Sequence, residues 1–207
     1  VLIVADKLAN CNQSLGALRL QVARELDLID NDTVCFSNLN RQIIATRDTL
    51  DCYKVDVMKE RILSINPKAE VTVRQEFFLP EKKEEYNFSE YAYVVDAVDT
   101  VTAKLALVEY ARARAIPVIC SMGTANKLDA TKFEVTDISK THTCPLARVM
   151  RKELLDRGIV EGVEVLYSTA KPITVAPASN GEHRPPGSIS YVSSVAGLLL
   201  AGHVIQK

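Results

Sequence analysis

Apolar residues along the chain form short blocks that alternate with stretches of helical spacing. The first block, Val1 to Ala5, is apolar at every position, which is typical of a strand buried on both faces of a parallel sheet. We predict a helix over about residues 14 to 25 and a second strand over Leu26 to Ile29, directly before Asp30. A strand, a helix and a strand that ends at an acid, all within the first 30 residues, indicate a βαβ unit.

The same alternation continues to the end of the chain. Val55, Met58, Ile62 and Ile65 repeat at helical intervals and predict a helix that stops at Asn66-Pro67. Further strands are predicted over residues 71–73, 91–98, 117–120, 133–135 and 163–167, and further helices over 101–114, 145–157 and 194–204. This order predicts an α/β, Rossmann-like fold with a mostly parallel sheet and helices on both faces. Ligands in such sheets bind beyond the carboxyl ends of the strands.

Composition narrows the class of protein. The 207 residues include 25 basic and 26 acidic side chains and are 47% hydrophobic, which is ordinary for one globular domain and predicts a single domain over residues 1–207. This balance excludes a disordered chain and a strongly cationic nucleic-acid binder, but it allows a local basic patch.

The spacing of the cysteines and the length of the apolar segments indicate the cellular compartment of the protein. The five cysteines include no C-x-x-C pair, which argues against a disulfide framework and a four-thiolate zinc site. No apolar run reaches the roughly 18 residues of a membrane-spanning helix, and no signal peptide is evident. We therefore predict a cytoplasmic protein and leave open whether the C-terminal helix touches a membrane.

Two acids follow predicted strands and each has two interpretations. Asp30 could accept hydrogen bonds from ribose hydroxyls, or it could form a turn with Asn31 and Asp32. Asp99 could hold a Mg²⁺ ion that bridges phosphates, or it could cap the following helix.

A polar cluster, Ser37 to Gln42, lies between these acids, and Lys54 follows it at the start of a predicted helix. A lysine in a first helical turn opposes the helix dipole unless an anion lies nearby. Arg41 and Lys54 together could therefore hold nucleotide phosphates, and the alternative is two solvated cations. Against a nucleotide, the turn after the first strand has no G-x-G-x-x-G pattern, and Gly16 stands alone.

Other candidate groups give weaker signals. Cys144 precedes a predicted helix close to His142, where its thiol could be activated or could be incidental in a loop. His183 and His203 lack partners at metal-ligand spacing, so we interpret them as structural or exposed. The predicted helix over residues 145–157 carries four cations that are either a solvated face or a contact for RNA phosphates: Arg148, Arg151, Lys152 and Arg157.

Several of these segments together resemble the adenylation domain shared by ubiquitin-activating enzymes and their ThiF/MoeB-type bacterial relatives. The segments of this resemblance are Leu28–Val34, Ser37–Gln42, Lys54, Ile65–Pro67 and Val95–Thr100. The second half is most similar to the tRNA threonylcarbamoyladenosine dehydratase branch, in Ser121–Gly123, Asn126–Asp129, Val135–Thr141, Pro145–Ala147, Tyr167–Thr169 and Pro186–Ser188. The absence of C-x-x-C zinc pairs favours this branch over the sulfur-carrier activators.

The resemblance implies roles for particular residues. Asp30 would bind ribose, Arg41 and Lys54 would bind phosphates, and Asp99 would bind Mg²⁺. Asn38 and Gln42 would add polar contacts to ATP. The catalytic residues implied are Arg41, Lys54 and Asp99.

The resemblance also implies a reaction and partners. ATP would adenylate the carboxylate of the threonylcarbamoyl group on adenosine 37 of tRNA, and ring closure would follow. A homodimer and a sulfur-transfer protein partner are further implications. Two alternatives stay open: activation of a ubiquitin-like or sulfur-carrier protein at its C terminus, and an inactive scaffold.

The chain departs from the family pattern at two places. A glycine-rich turn is expected where Asp6 to Ser14 stand, and a glycine is expected near Asp51-Cys52. These departures leave three alternatives open: the nucleotide is held in another way, the chain has lost activity, or the stretch from Val1 to Glu25 does not represent the natural sequence. Because relatives usually extend further at the N terminus, we expect the natural protein to do so too.

Overall fold

The structure is a computed structural model that describes residues 2–5, 25–86, 88, 91–174 and 186–207. The predicted helix over residues 14–25 lies outside the described residues apart from Glu25, which begins a strand. The turn from Asp6 to Ser14 lies outside them as well.

Seven strands of the described chain form one sheet in the order β3-β2-β1-β4-β5-β7-β6. All neighbours run parallel except β6, which is antiparallel to β7. This confirms the α/β, mostly parallel prediction. The strands are β1 Leu2–Ala5, β2 Glu25–Ile29, β3 Glu70–Arg74, β4 Tyr93–Asp96, β5 Val118–Ser121, β6 Phe133–Asp137 and β7 Glu164–Ser168.

Four α-helices lie in the described part of the chain: α1 Lys54–Ile65, α2 Val101–Ala113, α3 Pro145–Asp156 and α4 Ser190–Gln206. The first three match their predictions within a residue or two. Helix α4 begins four residues before the predicted residue 194, and the Ser194 hydroxyl donates to the Ser190 carbonyl at 2.7 Å within its first turn.

Side chains alternate between the two faces of the sheet, and each face has its own apolar cluster. Leu28 and Val95 pack in one cluster, while their neighbours Ile29 and Val94 pack in the other. The first cluster includes Met58 of α1 and Ala196 and Leu200 of α4, and the second includes Leu107 of α2 and Met150 and Leu154 of α3. Strands buried on both sides explain the uninterrupted apolar runs in the sequence.

The strand order reverses at β1, which lies between β2 and β4. In open α/β sheets the crevice at such a reversal is where ligands bind, beyond the carboxyl ends of the strands. Asp30 and Asp99 follow β2 and β4, so the fold brings both acids to this edge. Within the described residues, no helix is long and apolar enough to cross a membrane.

Candidate active site

Asp30 lies at the carboxyl end of β2 and is fully buried. Its Oδ1 accepts a hydrogen bond from the backbone N–H of Asp32 at 2.8 Å, and its own N–H donates to the Arg74 carbonyl at 3.1 Å. The turn that the sequence offered as an alternative to ribose binding is therefore formed. A carboxylate has about four acceptor positions, so this turn is compatible with a further contact to a ribose hydroxyl.

Lys54 is the first residue of α1, and only 4% of it is exposed. Its Nζ donates to Asp32 Oδ2 at 2.5 Å, and its N–H donates to the Asp32 carbonyl at 3.0 Å. An antiparallel bridge between Thr33 and Tyr53 holds the two segments together. The interpretation of Lys54 as a solvated cation is therefore wrong. The Asp32 carboxylate offsets the unfavourable position of the ammonium at the helix N terminus.

Asn38 organises the turn that leads to Arg41 and Gln42. Its side-chain Oδ1 accepts from the Cys35 N–H at 3.0 Å, and its carbonyl accepts from the N–H groups of Arg41 and Gln42 at 3.1 and 3.0 Å. Asn38 and Gln42 are 4% and 5% exposed, which places two amide side chains inside the protein at this edge.

Arg41 is half-buried, and its guanidinium bonds lie within its own turn. One terminal nitrogen donates to the Ser37 carbonyl at 2.6 Å and to Asn40 Oδ1 at 3.0 Å. The Asn40 side-chain amide in turn donates to the Ser188 carbonyl at 3.3 Å, two residues before α4. The turn from Ser37 to Gln42 is thereby tied to the segment that leads into α4.

Three polar atoms in this region are buried and lack a hydrogen-bond partner in the described structure: Asn31 Oδ1, Arg41 Nε and Gln42 Oε1. Buried polar groups are nearly always paired, and leaving one unpaired costs about 1–3 kcal/mol. Two acceptors and one donor of this kind, on the same side of the sheet edge as the buried Lys54, are suited to a polar ligand with both hydroxyl or amino groups and anionic oxygens.

Asp99 is exposed and lines a cleft at the carboxyl ends of β4 and β5. The N-cap of α2 is Thr100, not Asp99, so the capping interpretation is wrong. The cleft is open to solvent and lies between residues 97–99, residues 121–124, Leu146 of α3, and Ser193 and Ala196 of α4.

The two halves of the site flank the end of β1. Neighbouring strands are about 4.8 Å apart, so β2 and β4 are roughly 10 Å apart across β1. Asp30, Lys54 and the turn from Asn38 to Gln42 belong to the β2 side, and Asp99 belongs to the β4 side. The sequence-predicted residues therefore share one edge of the sheet.

Sequence reasoning missed a buried ion pair below the cleft. Lys104 and Asp96 are both fully buried, with Nζ and Oδ2 2.9 Å apart. Lys104 also donates to the Ser121 carbonyl at 2.7 Å, and Asp96 Oδ1 accepts from the Val98 N–H at 3.0 Å. The pair joins the turn that carries Asp99 to the end of β5. The sequence feature that could have indicated this ion pair is an acid within an apolar strand, followed eight residues later by a lysine in an Ala/Leu-rich helix.

Comparison with known proteins decides the family. A sequence model of the ThiF family matches residues 14–207. The tRNA threonylcarbamoyladenosine dehydratase of Bacillus subtilis (strain 168) is 42% identical over 190 residues, which cover 86% of this chain and 75% of that protein. This chain belongs to the ThiF family.

Other relatives of this ThiF-family chain agree. The tRNA threonylcarbamoyladenosine dehydratase of Escherichia coli (strain K12) is 41% identical over 163 residues, 75% of this chain and 60% of that protein. The crystal structure of E. coli tRNA N6-threonylcarbamoyladenosine dehydratase, TcdA, in complex with ATP has a TM-score of 0.88 and 32% identity, covering 99% of this chain and 84% of that one. The structure of the same E. coli protein in complex with AMP has a TM-score of 0.87.

One departure from the ThiF pattern has a structural explanation. The glycine expected before the lysine falls at Asp51-Cys52, and Asp51 has a φ of 64°. Glycine adopts this left-handed conformation without strain, and Asp and Asn tolerate it better than most other residues. Asp51 therefore forms the turn that a glycine would form, and its N–H donates to the Val34 carbonyl at 2.9 Å.

The basic helix is formed as predicted, but two of its cations are engaged within the chain. Arg151 donates to the Thr141 carbonyl at 2.6 Å and also to the Thr141 hydroxyl. Arg157 contacts Glu109 at 3.3 Å and Glu153 at 2.9 Å. Arg148 and Lys152 are exposed, and their side chains make no hydrogen bond or salt bridge within the described residues.

The structure describes two of the remaining candidates, Cys144 and His203. Cys144 is 3% exposed and occupies the N-cap position of α3, where its side chain makes no capping hydrogen bond. His203 Nε2 lies 3.0 Å from Glu164 Oε2, which confirms its interpretation as structural. His183 lies outside the described residues.

Proposed function

We propose that this chain is an ATP-dependent enzyme of tRNA modification. It adenylates the carboxylate of N6-threonylcarbamoyladenosine at position 37 of tRNA and promotes cyclisation, with residues 1–207 acting as one adenylation domain. The relatives named for this dehydratase activity support the substrate. The observation that supports the nucleotide site is a buried lysine, Lys54, together with three unpaired buried polar atoms on the β2 side of the reversal of strand order.

The described residues fit a nucleotide. Lys54 has three ammonium donors, and its contact with Asp32 uses one of them, so it can also donate to phosphate oxygens. The unpaired Nε of Arg41 is a second donor for a phosphate. Asp30 would accept from ribose hydroxyls, while Asn38 and Gln42 would supply amide contacts.

Asp99 fits Mg²⁺. No group of three metal-binding side chains occurs in the part of the chain that the structure describes. Mg²⁺ usually binds one or two protein carboxylates and completes its shell with phosphate oxygens and water, so one exposed carboxylate in the cleft is sufficient. When bound, Mg²⁺ would neutralise negative charge on the phosphates.

The proposed chemistry has two steps. A carboxylate oxygen of the substrate attacks the α-phosphorus of ATP, a new C(O)O–P bond forms, and the bond to the leaving pyrophosphate breaks. A nucleophile within the same threonylcarbamoyl group then attacks the activated carbonyl carbon, AMP leaves with the former carboxylate oxygen, and a proton is released to solvent. Arg41 and Lys54 stabilise the negative charge that develops on the phosphate oxygens. No protein nucleophile is required.

The test measures AMP formation from ATP with three candidate substrates. We expect AMP with threonylcarbamoylated tRNA and none with unmodified tRNA. AMP formed only with a ubiquitin-like or sulfur-carrier protein would support the alternative activator instead. No AMP with any of them would support the inactive scaffold.

One partner proposal, the homodimer, has support of its own. A homodimer is supported by exposed apolar side chains on α4, since Tyr191, Leu198 and Leu199 are 47%, 43% and 40% exposed. Leu198→Asp should convert a dimer to a monomer in light scattering, and a monomer in the unaltered protein would contradict the proposal. A cytoplasmic location and a sulfur-transfer partner remain predictions.

A further inference from the structure

Ser193 of α4 is buried, with 1% exposure, and its hydroxyl has no hydrogen-bond partner in the described structure. It lines the same cleft as Asp99, at the carboxyl ends of β4 and β5. Helical serines commonly bond to a carbonyl one turn back, as the next residue, Ser194, does with Ser190 at 2.7 Å. Ser193 lacks that bond, so its hydroxyl is a buried, unpaired polar group in a residue that lines the cleft.

The rest of the cleft combines hydroxyl groups with small apolar surfaces. The lining residues include Ser121 and Thr124, which carry hydroxyls, and Ala97 and Ala196, which carry methyl groups; the Ser121 hydroxyl donates to the Met122 carbonyl at 3.4 Å. Gly123 also lines the cleft, and a methyl group added there would meet no protein atom within 4 Å. A side chain with one hydroxyl and one methyl, as threonine has, matches this lining.

We propose that this cleft receives the threonine-derived part of the substrate and that Ser193 hydrogen-bonds to its side-chain hydroxyl. The assignment rests on the function proposed above and makes Ser193 a specificity-determining residue. A hydroxyl can donate or accept, so it can pair with another hydroxyl in either sense. A site that binds a substrate hydroxyl discriminates against analogues that lack it, because its own polar group is then left unpaired.

The experiment compares the unaltered protein and the Ser193→Ala variant, each with two tRNA substrates, in the manner of a double-mutant cycle. The substrates are tRNAs whose carbamoyl group derives from threonine or from glycine, which lacks the hydroxyl and the methyl. We expect Ser193→Ala to lower kcat/KM for the threonine-derived substrate by about two- to tenfold, the worth of one neutral hydrogen bond. It should leave kcat/KM for the glycine-derived substrate and the KM for ATP unchanged.

Two further variants and a stability measurement exclude a merely structural effect. Ser194→Ala is the matched control, and it should change neither substrate's kcat/KM. Gly123→Ala should lower kcat/KM for the threonine-derived substrate more than for the glycine-derived one. Ser193→Ala should leave the free energy of unfolding unchanged or raise it, since no bond within the protein is lost.

The outcomes separate this inference from the proposed function. Equal losses for both substrates, or no loss for either, would overturn the role of Ser193 while AMP formation by the unaltered protein stands. No AMP formation by the unaltered protein with either tRNA would refute the proposed function and this assignment with it.

Discussion

The buried pair of Lys104 and Asp96 gives the sharpest stability prediction. Replacing Lys104 with Met removes the ammonium but leaves the Asp96 carboxylate, which is fully buried, without its partner. Removing one member of a buried ion pair typically costs about 3–5 kcal/mol, because the remaining charge is neither solvated nor neutralised. For a chain of this size about 1 kcal/mol corresponds to roughly 2–4 °C, so the midpoint of thermal unfolding should fall by roughly 6–20 °C.

Lys127 provides a matched control for this prediction. It is also buried, at 3% exposure, but its Nζ donates to the carbonyls of Ser168 and Ala170 at 3.3 and 2.8 Å and pairs with no carboxylate among the residues that the structure describes. Burial lowers the pKa of Lys127. Lys127→Met therefore leaves no buried charge behind, and we expect a loss of only about 0–2 kcal/mol.

Urea unfolding followed by circular dichroism measures both variants. Adding Asp96→Asn to Lys104→Met should recover most of the loss, because the unpaired charge is then removed as well. A Lys104→Met variant no less stable than Lys127→Met, or a double variant no more stable than Lys104→Met alone, would refute the reasoning.

Three further predictions concern the site, the tRNA contact and acid stability. Arg41→Ala and Asp99→Ala should each abolish AMP formation and leave the circular dichroism spectrum unchanged, since both side chains lie at the open edge of the sheet. Arg148→Ala should weaken tRNA binding and reduce the slope of log K against log salt by about one, measured by fluorescence anisotropy. Burial alone would raise the pKa of Glu164, but its hydrogen bond with His203 helps to lower that pKa overall. The free energy of unfolding should therefore decrease as the pH falls below 4.5, the ordinary pKa of a glutamate, toward the lowered pKa of Glu164. Glu164→Gln should flatten this part of the stability profile measured by urea unfolding.

Each of these has an outcome that contradicts it. Unaltered turnover in Arg41→Ala or Asp99→Ala would remove that residue from the site. A salt slope unchanged by Arg148→Ala would exclude a phosphate contact there, and Arg151→Ala is a poor substitute because its bonds to Thr141 make it structural. A free energy of unfolding that depends on acidic pH in the same way in Glu164→Gln and in the unaltered protein would contradict the role of Glu164 in acid stability.

Periodicity was sufficient to predict the architecture, because burial acts on every residue of an element. Strands covered on both faces read as apolar runs, and helices covered on one face read as repeats such as Val55, Met58 and Ile62. The boundaries were less accurate. The strand predicted over residues 91–98 is only Tyr93–Asp96. Beyond its end Ala97 and Val98 line the cleft, and before its start Tyr91 packs in the second apolar cluster.

The site could be predicted only in part. Strand-end acids are visible in a sequence, since topology places them at one edge. Pairings between distant residues are not visible, so the contact of Lys54 with Asp32 and that of Lys104 with Asp96 appeared only in the structure. The unpaired hydroxyl of Ser193 could not be predicted either, because the adjacent Ser194 is identical in type and differs only in its surroundings.

The central claim is that a nucleotide binds at the reversal of strand order, with its phosphates at Arg41 and Lys54 and its metal at Asp99. The most direct measurement is a crystal structure of this protein with Mg²⁺ and a non-hydrolysable ATP analogue. The account predicts phosphate oxygens within hydrogen-bond distance of Arg41 and Lys54, and a metal ion bound to the Asp99 carboxylate. A nucleotide bound elsewhere, or phosphates that contact none of these three side chains, would contradict it.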